Sequence, residues 1–98
     1  MVKVARVDWT DTAKSVLRKI FNYHVEYSRS SAENLVNEII DAADSIVFAK
    51  QYQVDEINPN YRRIVVRDYK ILYNEQKNTI QIMDIVNTKQ SPEELRKK

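Results

Sequence analysis

The spacing of hydrophobic residues along the chain changes twice, and each change predicts a change of secondary structure. Residues 2–9 alternate roughly between apolar and charged side chains and are rich in valine, which predicts a β-strand. Thr10, Asp11 and Thr12 then offer oxygens that can cap a helix. From Ala13 onward one helical face follows, with residues recurring every three or four positions. Its members are Ala13, Val16, Leu17, Ile20, His24 and Tyr27.

A second helix is predicted directly after the polar residues 28–30. Ser30 and Glu33 have the spacing of a capping box, in which each side chain binds a backbone N–H of the other residue. Apolar residues then recur at helical spacing as far as Val47. They are Ala32, Leu35, Val36, Ile39, Ile40, Ala43, Ile46 and Val47. Because the connection is so short, the two helices are expected to be antiparallel neighbours.

Alternation returns after residue 60 and predicts three strands, over residues 61–66, 69–73 and 79–86, with Arg67 and Asp68 as a tight turn between the first two. In the last strand, one face should carry Ile80, Ile82, Asp84 and Val86, and the other Thr79, Gln81, Met83 and Ile85. The order β-α-α-β-β-β predicts an α+β fold. We expect an N-terminal strand and an antiparallel helical hairpin packed on a mostly antiparallel four-stranded sheet, as one domain spanning residues 1–98.

The composition excludes most cofactor chemistry. Without glycine the chain lacks phosphate-binding loops, and without cysteine it lacks disulfides, thiolate metal sites and cysteine nucleophiles. A single histidine, His24, makes no histidine metal cluster. We therefore expect neither a cofactor nor a metal. In the absence of glycine, the positive φ angles of tight turns are expected at asparagine and aspartate. The candidates are Asp68, Asn74, Asn78, Asn58 and Asn60.

Membrane insertion and export are not expected. No hydrophobic run approaches the roughly 20 residues that cross a bilayer. The first nine residues, MVKVARVDW, lack the apolar centre of a signal peptide. The sequence therefore predicts a cytoplasmic protein.

Positive charge is concentrated in the second half of the chain, although the net charge is only +2. Residues 1–49 carry six basic and seven acidic side chains, and residues 50–98 carry ten and seven. The basic residues Arg62, Arg63, Arg67, Lys70 and Lys89 are interleaved with Tyr61, Tyr69 and Tyr73. Arginine binds phosphate bidentately and tyrosine stacks on bases, so such a sheet face can hold an RNA backbone. Alternatively, the tyrosines fill the core and the cations solvate an edge strand.

Candidate acid–base residues outside the strands are better explained structurally. The pairs Asp8/Asp11 and Asp41/Asp44 flank the hydrophobic faces of helices, where solvated acids are expected. His24 lies on or near the hydrophobic face of the first helix, where a packed histidine is more common than a general base.

Four stretches resemble toxins of the RelE/ParE superfamily from type II toxin–antitoxin systems. The opening Val7-Asp8-Trp9-Thr10 is similar to the family's strand and helix cap, and the helical hairpin turning at residues 28–31 has the family's length and position. The most specific stretch, residues 60–73, contains an arginine-bearing strand, a turn and a Tyr-x-Ile-x-Tyr strand. Residues 87–92 resemble the family's terminal basic-Gln-x-Pro pattern.

The resemblance implies the fold derived above and a cognate antitoxin as partner. RelE-like members cut messenger RNA in the ribosomal A site, and ParE-like members inhibit DNA gyrase. By position, the resemblance implies Arg62, Arg63 and Lys89 as catalytic residues if the chain is a nuclease. The residues expected to bind the target or an RNA phosphate are Arg67, Tyr69, Lys70, Tyr73 and Gln90.

The end of the chain favours the ParE-like mechanism. The RelE pattern has a tyrosine or histidine near its C-terminus, whereas residues 87–98 contain neither and Asn87 stands where relatives often have histidine. Proton transfer needs a base, and ribosome binding usually needs a larger basic surface. We therefore favour a growth-inhibitory toxin acting on gyrase. The alternatives are a RelE-like ribosome-dependent mRNA endoribonuclease and an inactive interaction module of the same fold.

Overall fold

A computed structural model describes residues 3–89, which fold in the predicted order β-α-α-β-β-β. The elements are β1 (Arg6–Trp9), α1 (Asp11–Val25), α2 (Arg29–Asp44), β2 (Arg62–Val66), β3 (Tyr69–Gln76) and β4 (Thr79–Asn87). The sheet order is β1-β4-β3-β2, with β1 parallel to β4 and the other pairs antiparallel. The predicted α+β class and the mostly antiparallel four-stranded sheet are confirmed.

Both helices pack on the same face of the sheet, called here the helix face, and the opposite side is the outer face. Alternating residues of the strands meet one side of each helix in a single hydrophobic core. The core contains Ala13, Ile20, Leu35, Ile39, Ala43, Ile46, Ile64, Ile71, Tyr73, Ile80, Ile82 and Ile85.

The N-terminal caps of the two helices differ in how well the sequence predicted them. Thr10 caps α1 as predicted, since its side chain accepts a hydrogen bond from the Ala13 N–H at 3.2 Å. The cap of α2 is Ser28, which accepts from the Ser31 N–H, and the predicted Ser30–Glu33 capping box is wrong. The chain turns earlier than predicted because the Ser28 N–H binds the His24 carbonyl. Glu33 instead pairs with Arg29 one helical turn away.

Helix α2 ends at Asp44, three residues before the predicted end at Val47. Ser45 closes the helix through its N–H to Asp41, and Gln51 accepts the N–H groups of Val47 and Phe48. Ile46 is nevertheless buried in the core. The hydrophobic periodicity therefore predicted too long a helix, because a core side chain such as Ile46 can lie beyond the last helical residue.

A β-bulge at Met83 corrects the predicted faces of the last strand. Leu72 pairs with Asp84 and Tyr73 with Ile82, which leaves Met83 as an extra residue in β4. The alternation therefore shifts by one position beyond Ile82. Ile85, predicted to lie on the face opposite Ile80 and Ile82, is buried with them in the core, and Asp84 and Val86 are not.

The turns use positive φ angles at different residues from those predicted. Within residues 3–89, non-glycine residues with positive φ are Arg67 (52°), Lys77 (51°) and Asn78 (67°). Asn78 is confirmed, but the expectation for Asp68, Asn58 and Asn60 is wrong, and Asn74 lies inside β3. In the β2–β3 hairpin it is Arg67, the first turn residue, that takes the left-handed conformation.

Candidate functional site

The structure divides the predicted site residues between the two faces of the sheet. Tyr69 and Tyr73 lie on the helix face with Ile71, and Arg62 is the cross-strand neighbour of Tyr73. Lys70 and Arg63 lie on the outer face, as alternation predicted. Arg67 stands in the β2–β3 turn and Lys89 follows β4. Gln90 lies outside the described residues.

Tyr73 and Arg62 hold the segment after α2 against the sheet. Tyr73 is fully buried, and its hydroxyl donates to the Ala49 carbonyl at 2.9 Å. Arg62 donates from Nη1 to the Tyr52 carbonyl at 2.7 Å, and Tyr52 lies edge-on to the Tyr73 ring. Burial raises the pKa of Tyr73 above its usual value. In this position Tyr73 is a core residue, and its ring is covered where a base would stack.

Tyr69 binds His24 on the helix face. The Tyr69 hydroxyl lies 2.9 Å from His24 Nε2, and the two rings pack edge to face. Burial, followed by the charge of Asp68, raises the pKa of Tyr69. This pair joins the end of α1 to the start of β3, which fits the packed histidine expected from the sequence.

Lys70 forms a buried ion pair that the sequence did not indicate. Its Nζ lies 2.8 Å from Asp55 Oδ1, and the two residues are 9% and 1% exposed. Asp55 Oδ2 also accepts the N–H groups of Ile57 and Asn58. Burial alone would raise the pKa of Asp55, but the hydrogen bonds from Lys70 and from the Asn58 backbone hold it below its usual value. The pair anchors the α2–β2 connection on the outer face and neutralises Lys70.

Arg63 is bound to the same connection. Its Nη1 donates to the Val54 carbonyl at 2.9 Å, and its Nη2 to Gln53 Oε1 at 3.4 Å. The Arg63 backbone N–H also binds the Gln53 carbonyl, beside a single β-bridge between Val54 and Arg62. Two of the basic residues proposed to meet a phosphate are thus engaged in holding residues 53–55.

The remaining two cations form exposed ion pairs. Arg67 makes a bidentate pair with Glu38 of α2, at 2.7 and 2.9 Å. Lys89 Nζ lies 3.2 Å from Asp68 Oδ2. Exposed pairs exchange readily with solvent and with other charges, so both cations stay accessible to a partner.

A cleft of about 420 Å³ opens on the outer face. It is lined by Thr12, Asn58, Tyr61, Leu72, Met83, Asp84 and Val86. Asp84 is its single charged residue, and one of its oxygens accepts the Ile85 N–H at 2.8 Å. An anionic polymer in this cleft would meet a carboxylate. The sequence pattern assigned Asp84 to the other face, because the bulge at Met83 could not be foreseen.

Within residues 3–89, no group of three or more histidine, cysteine, aspartate or glutamate residues could hold a metal ion. Neither helix in this part of the chain is long and apolar enough to cross a membrane.

Comparison with known proteins identifies relatives at the level of family and fold. The family profile described as "ParE toxin of type II toxin-antitoxin system, parDE" matches residues 7–92. A solved structure, "Chromosomal ParDE TA system from P. aeruginosa", contains a chain that superposes with a TM-score of 0.73. Its sequence identity is 20%, and the match covers 86% of this chain and 96% of that chain. At this identity the similarity concerns the fold. Among curated protein sequences, none matches.

Proposed function

Because this chain belongs to the ParE toxin family of type II toxin–antitoxin systems, we propose that it arrests growth by inhibiting DNA gyrase and that a cognate antitoxin neutralises it. The family resemblance seen in the sequence is confirmed by the match over residues 7–92. The choice of gyrase as target, rather than messenger RNA on the ribosome, depends on the arrangement of the basic and aromatic residues.

The observation that carries this choice is the separation of those residues. Cleavage of RNA without a metal needs a base, an acid and free cations around one phosphate. Lys70 is neutralised by Asp55, and Arg63 is held by Val54 and Gln53. His24 and Tyr69 lie on the opposite face of the sheet. This distribution supports a toxin that acts by binding a protein rather than by cutting RNA.

A supercoiling assay tests the proposal. Purified toxin, separated from its antitoxin, should inhibit the supercoiling of relaxed plasmid by gyrase. Antitoxin added before the toxin should prevent this inhibition. In parallel, the toxin is added to ribosomes translating a defined message, and the 5′ ends of the message are mapped. We expect the message to remain intact.

Two results would contradict the gyrase target. Unchanged supercoiling together with cut message, abolished by Arg63→Ala or Lys89→Ala without loss of antitoxin binding, would establish the nuclease alternative. Normal growth on induced expression, with soluble folded protein, would instead identify an inactive interaction module.

A further inference from the structure

A second cavity, called here the edge pocket, lies where β3 extends beyond β2. Its volume is about 220 Å³, several times the roughly 30 Å³ that one water molecule occupies in the liquid. It is lined by Ala49, Lys50, Asn60, Arg62, Tyr73, Asn74 and Glu75. The pocket therefore has room for a side chain, and most of the residues that line it have polar or charged side chains.

One polar atom at the edge pocket is buried without a partner. No donor within residues 3–89 reaches Asn74 Oδ1. A buried acceptor without a donor is unfavourable, so Asn74 Oδ1 would gain a hydrogen bond from an N–H or O–H donor that enters the pocket.

The edge pocket also carries positive charge that is not neutralised. Arg62 uses one of its N–H groups on the Tyr52 carbonyl, and Lys50 forms no ion pair with the described part of the chain. Glu75 is the one acid in the lining, and its carboxylate accepts the Asn78 N–H in the β3–β4 turn at 2.7 Å. Two cations against one carboxylate leave the lining with a net positive charge, which favours an anionic ligand.

The backbone beside the edge pocket favours a peptide over a free anion. β2 pairs with β3 only through Tyr73, whereas Asn74, Glu75 and Gln76 pair with β4 alone. Between residues 3 and 89 no strand covers the other edge of these three residues. An extended segment lying there would bring a backbone N–H and an acidic side chain to the pocket together, which a free anion does not.

We propose that the edge pocket binds an aspartate or glutamate side chain presented by an extended segment of the antitoxin. The carboxylate pairs with Arg62 and Lys50, and an N–H of the same segment binds Asn74 Oδ1. This inference rests on the antitoxin partner proposed above and is independent of whether the toxin acts on gyrase.

The first experiment uses a capped amino acid as probe. N-acetyl-aspartate N-methylamide is titrated into ¹⁵N-labelled toxin, and amide shifts are followed by NMR. N-acetyl-asparagine N-methylamide and inorganic phosphate serve as the uncharged and phosphate arms. We expect saturable shifts at Ala49, Lys50, Asn60 and Asn74 with the aspartate probe and weaker binding of the other two probes.

Two variants test the residues of the pocket. Arg62→Gln and Asn74→Leu should each weaken binding of the aspartate probe about tenfold. Lys14→Gln, the same charge change on α1, should not.

Several outcomes would overturn the proposal. Equal binding of the aspartate and asparagine probes would remove the role of charge. Tighter binding of phosphate would assign the pocket to a phosphate ligand. If the aspartate probe caused no saturable shifts at the pocket of the folded wild-type toxin, the pocket would not bind a carboxylate side chain and the proposal would be refuted.

The second experiment identifies the residue on the antitoxin. Each aspartate and glutamate of the antitoxin is replaced by its amide, and the Kd is measured with wild-type toxin and with Arg62→Gln. One replacement should weaken binding to wild type about tenfold and have little further effect on Arg62→Gln. Equal effects on both toxins at every position would refute the pocket contact while leaving antitoxin binding intact. Failure of all forms to bind would instead refute the partner itself.

Discussion

At the scale of single residues, Lys70 and Asp55 form the contact whose disruption should matter most. Both groups are almost completely buried, and each satisfies the charge of the other. A buried ion pair adds little net stability compared with apolar residues of the same shape, yet removing one partner strands a charge. The pair therefore fixes where the α2–β2 connection lies on the outer face.

We expect Lys70→Met and Asp55→Asn to lower the free energy of unfolding by about 3–5 kcal/mol each. The double variant should lose clearly less than the sum, because neither charge is then left unpaired. Urea denaturation measures all three. Lys89→Met, which breaks the exposed pair with Asp68, is the control and should lose less than about 1 kcal/mol. Additive losses in the double variant would show that the two residues act separately.

The Asp55–Lys70 pair should also make stability depend on pH in the acid range. The pKa of Asp55 is lowered from 3.8 on folding, so its ionised form is favoured in the native state. Its contribution is complete above that value and is lost as the pH falls through the lower native pKa. The difference in unfolding free energy between wild type and Asp55→Asn should be constant above about pH 5 and shrink below about pH 4. A constant difference down to pH 2, measured by urea denaturation, would contradict this.

Arg67 occupies a conformation that an L-residue with a side chain adopts at a cost of about 1 kcal/mol. Arg67→Gly should therefore be more stable than Arg67→Ala by about 1 kcal/mol, since both lose the ion pair with Glu38 and only glycine is free of strain. The same two substitutions at Lys14, inside α1, should have the opposite order. Thermal unfolding of the four variants measures these differences in stability. If Arg67→Ala were as stable as Arg67→Gly, the conformation of Arg67 would not be strained.

At the scale of elements, Thr10 links the start of α1 to the bulged part of β4. Its hydroxyl donates to the Ile82 carbonyl at 2.7 Å while accepting the Ala13 N–H, and its own N–H binds the same carbonyl at 3.1 Å. One threonine thus satisfies a helix end and a strand at the point where Met83 interrupts the ladder.

Thr10→Val keeps the shape of the side chain and removes both functions of the hydroxyl. We expect it to lower the unfolding free energy by about 2 kcal/mol, the sum of a cap and a hydrogen bond. Thr10→Ser should retain most of that stability. Ser28→Ala removes a cap alone, at the exposed start of α2, and should lose about 1 kcal/mol. Chemical denaturation that gives Thr10→Val and Ser28→Ala the same loss would refute the link to β4.

At the scale of the whole molecule, the two faces of the sheet have separate roles. The helix face carries the core and the His24–Tyr69 contact, and the outer face carries the covered cations Arg63 and Lys70 and the cleft with Asp84. With a net charge of +2 and a carboxylate in that cleft, the outer face is a poor surface for a polyanion.

Binding of single-stranded RNA should accordingly be weak, with a Kd of about 10⁻⁴ M at physiological salt, at the weak end of non-specific binding. Asp84→Lys should raise the affinity several-fold by placing a cation in the cleft. Asp41→Lys, the same charge change on α2, should have a smaller effect. Fluorescence anisotropy with a labelled oligonucleotide measures each; submicromolar binding by the wild type would reverse this assessment of the outer face.

The elements and their order were predictable because the hydrophobic spacing is regular across both helices and most of the sheet. The predictions that were wrong concern features that do not follow a periodic pattern. They are the cap at Ser28, the early end of α2 and the extra residue Met83. The site was less predictable. Alternation assigned Arg63 and Tyr73 to their faces, but the partner of Lys70 is Asp55, 15 positions away in an irregular segment. Contacts of that kind arise from tertiary packing and leave no pattern in the chain.

The parallel pairing of β1 with β4 determines how late in synthesis the sheet can be completed. The register joins Arg6 to Thr79, so β1 has no neighbour in the sheet until β4 has left the ribosome. Closing so long a loop is slow compared with forming the local α1–α2 hairpin. A nascent chain can therefore hold its helices together while its sheet is still open. Synthesis itself therefore delays completion of the toxin fold until β4 has been made.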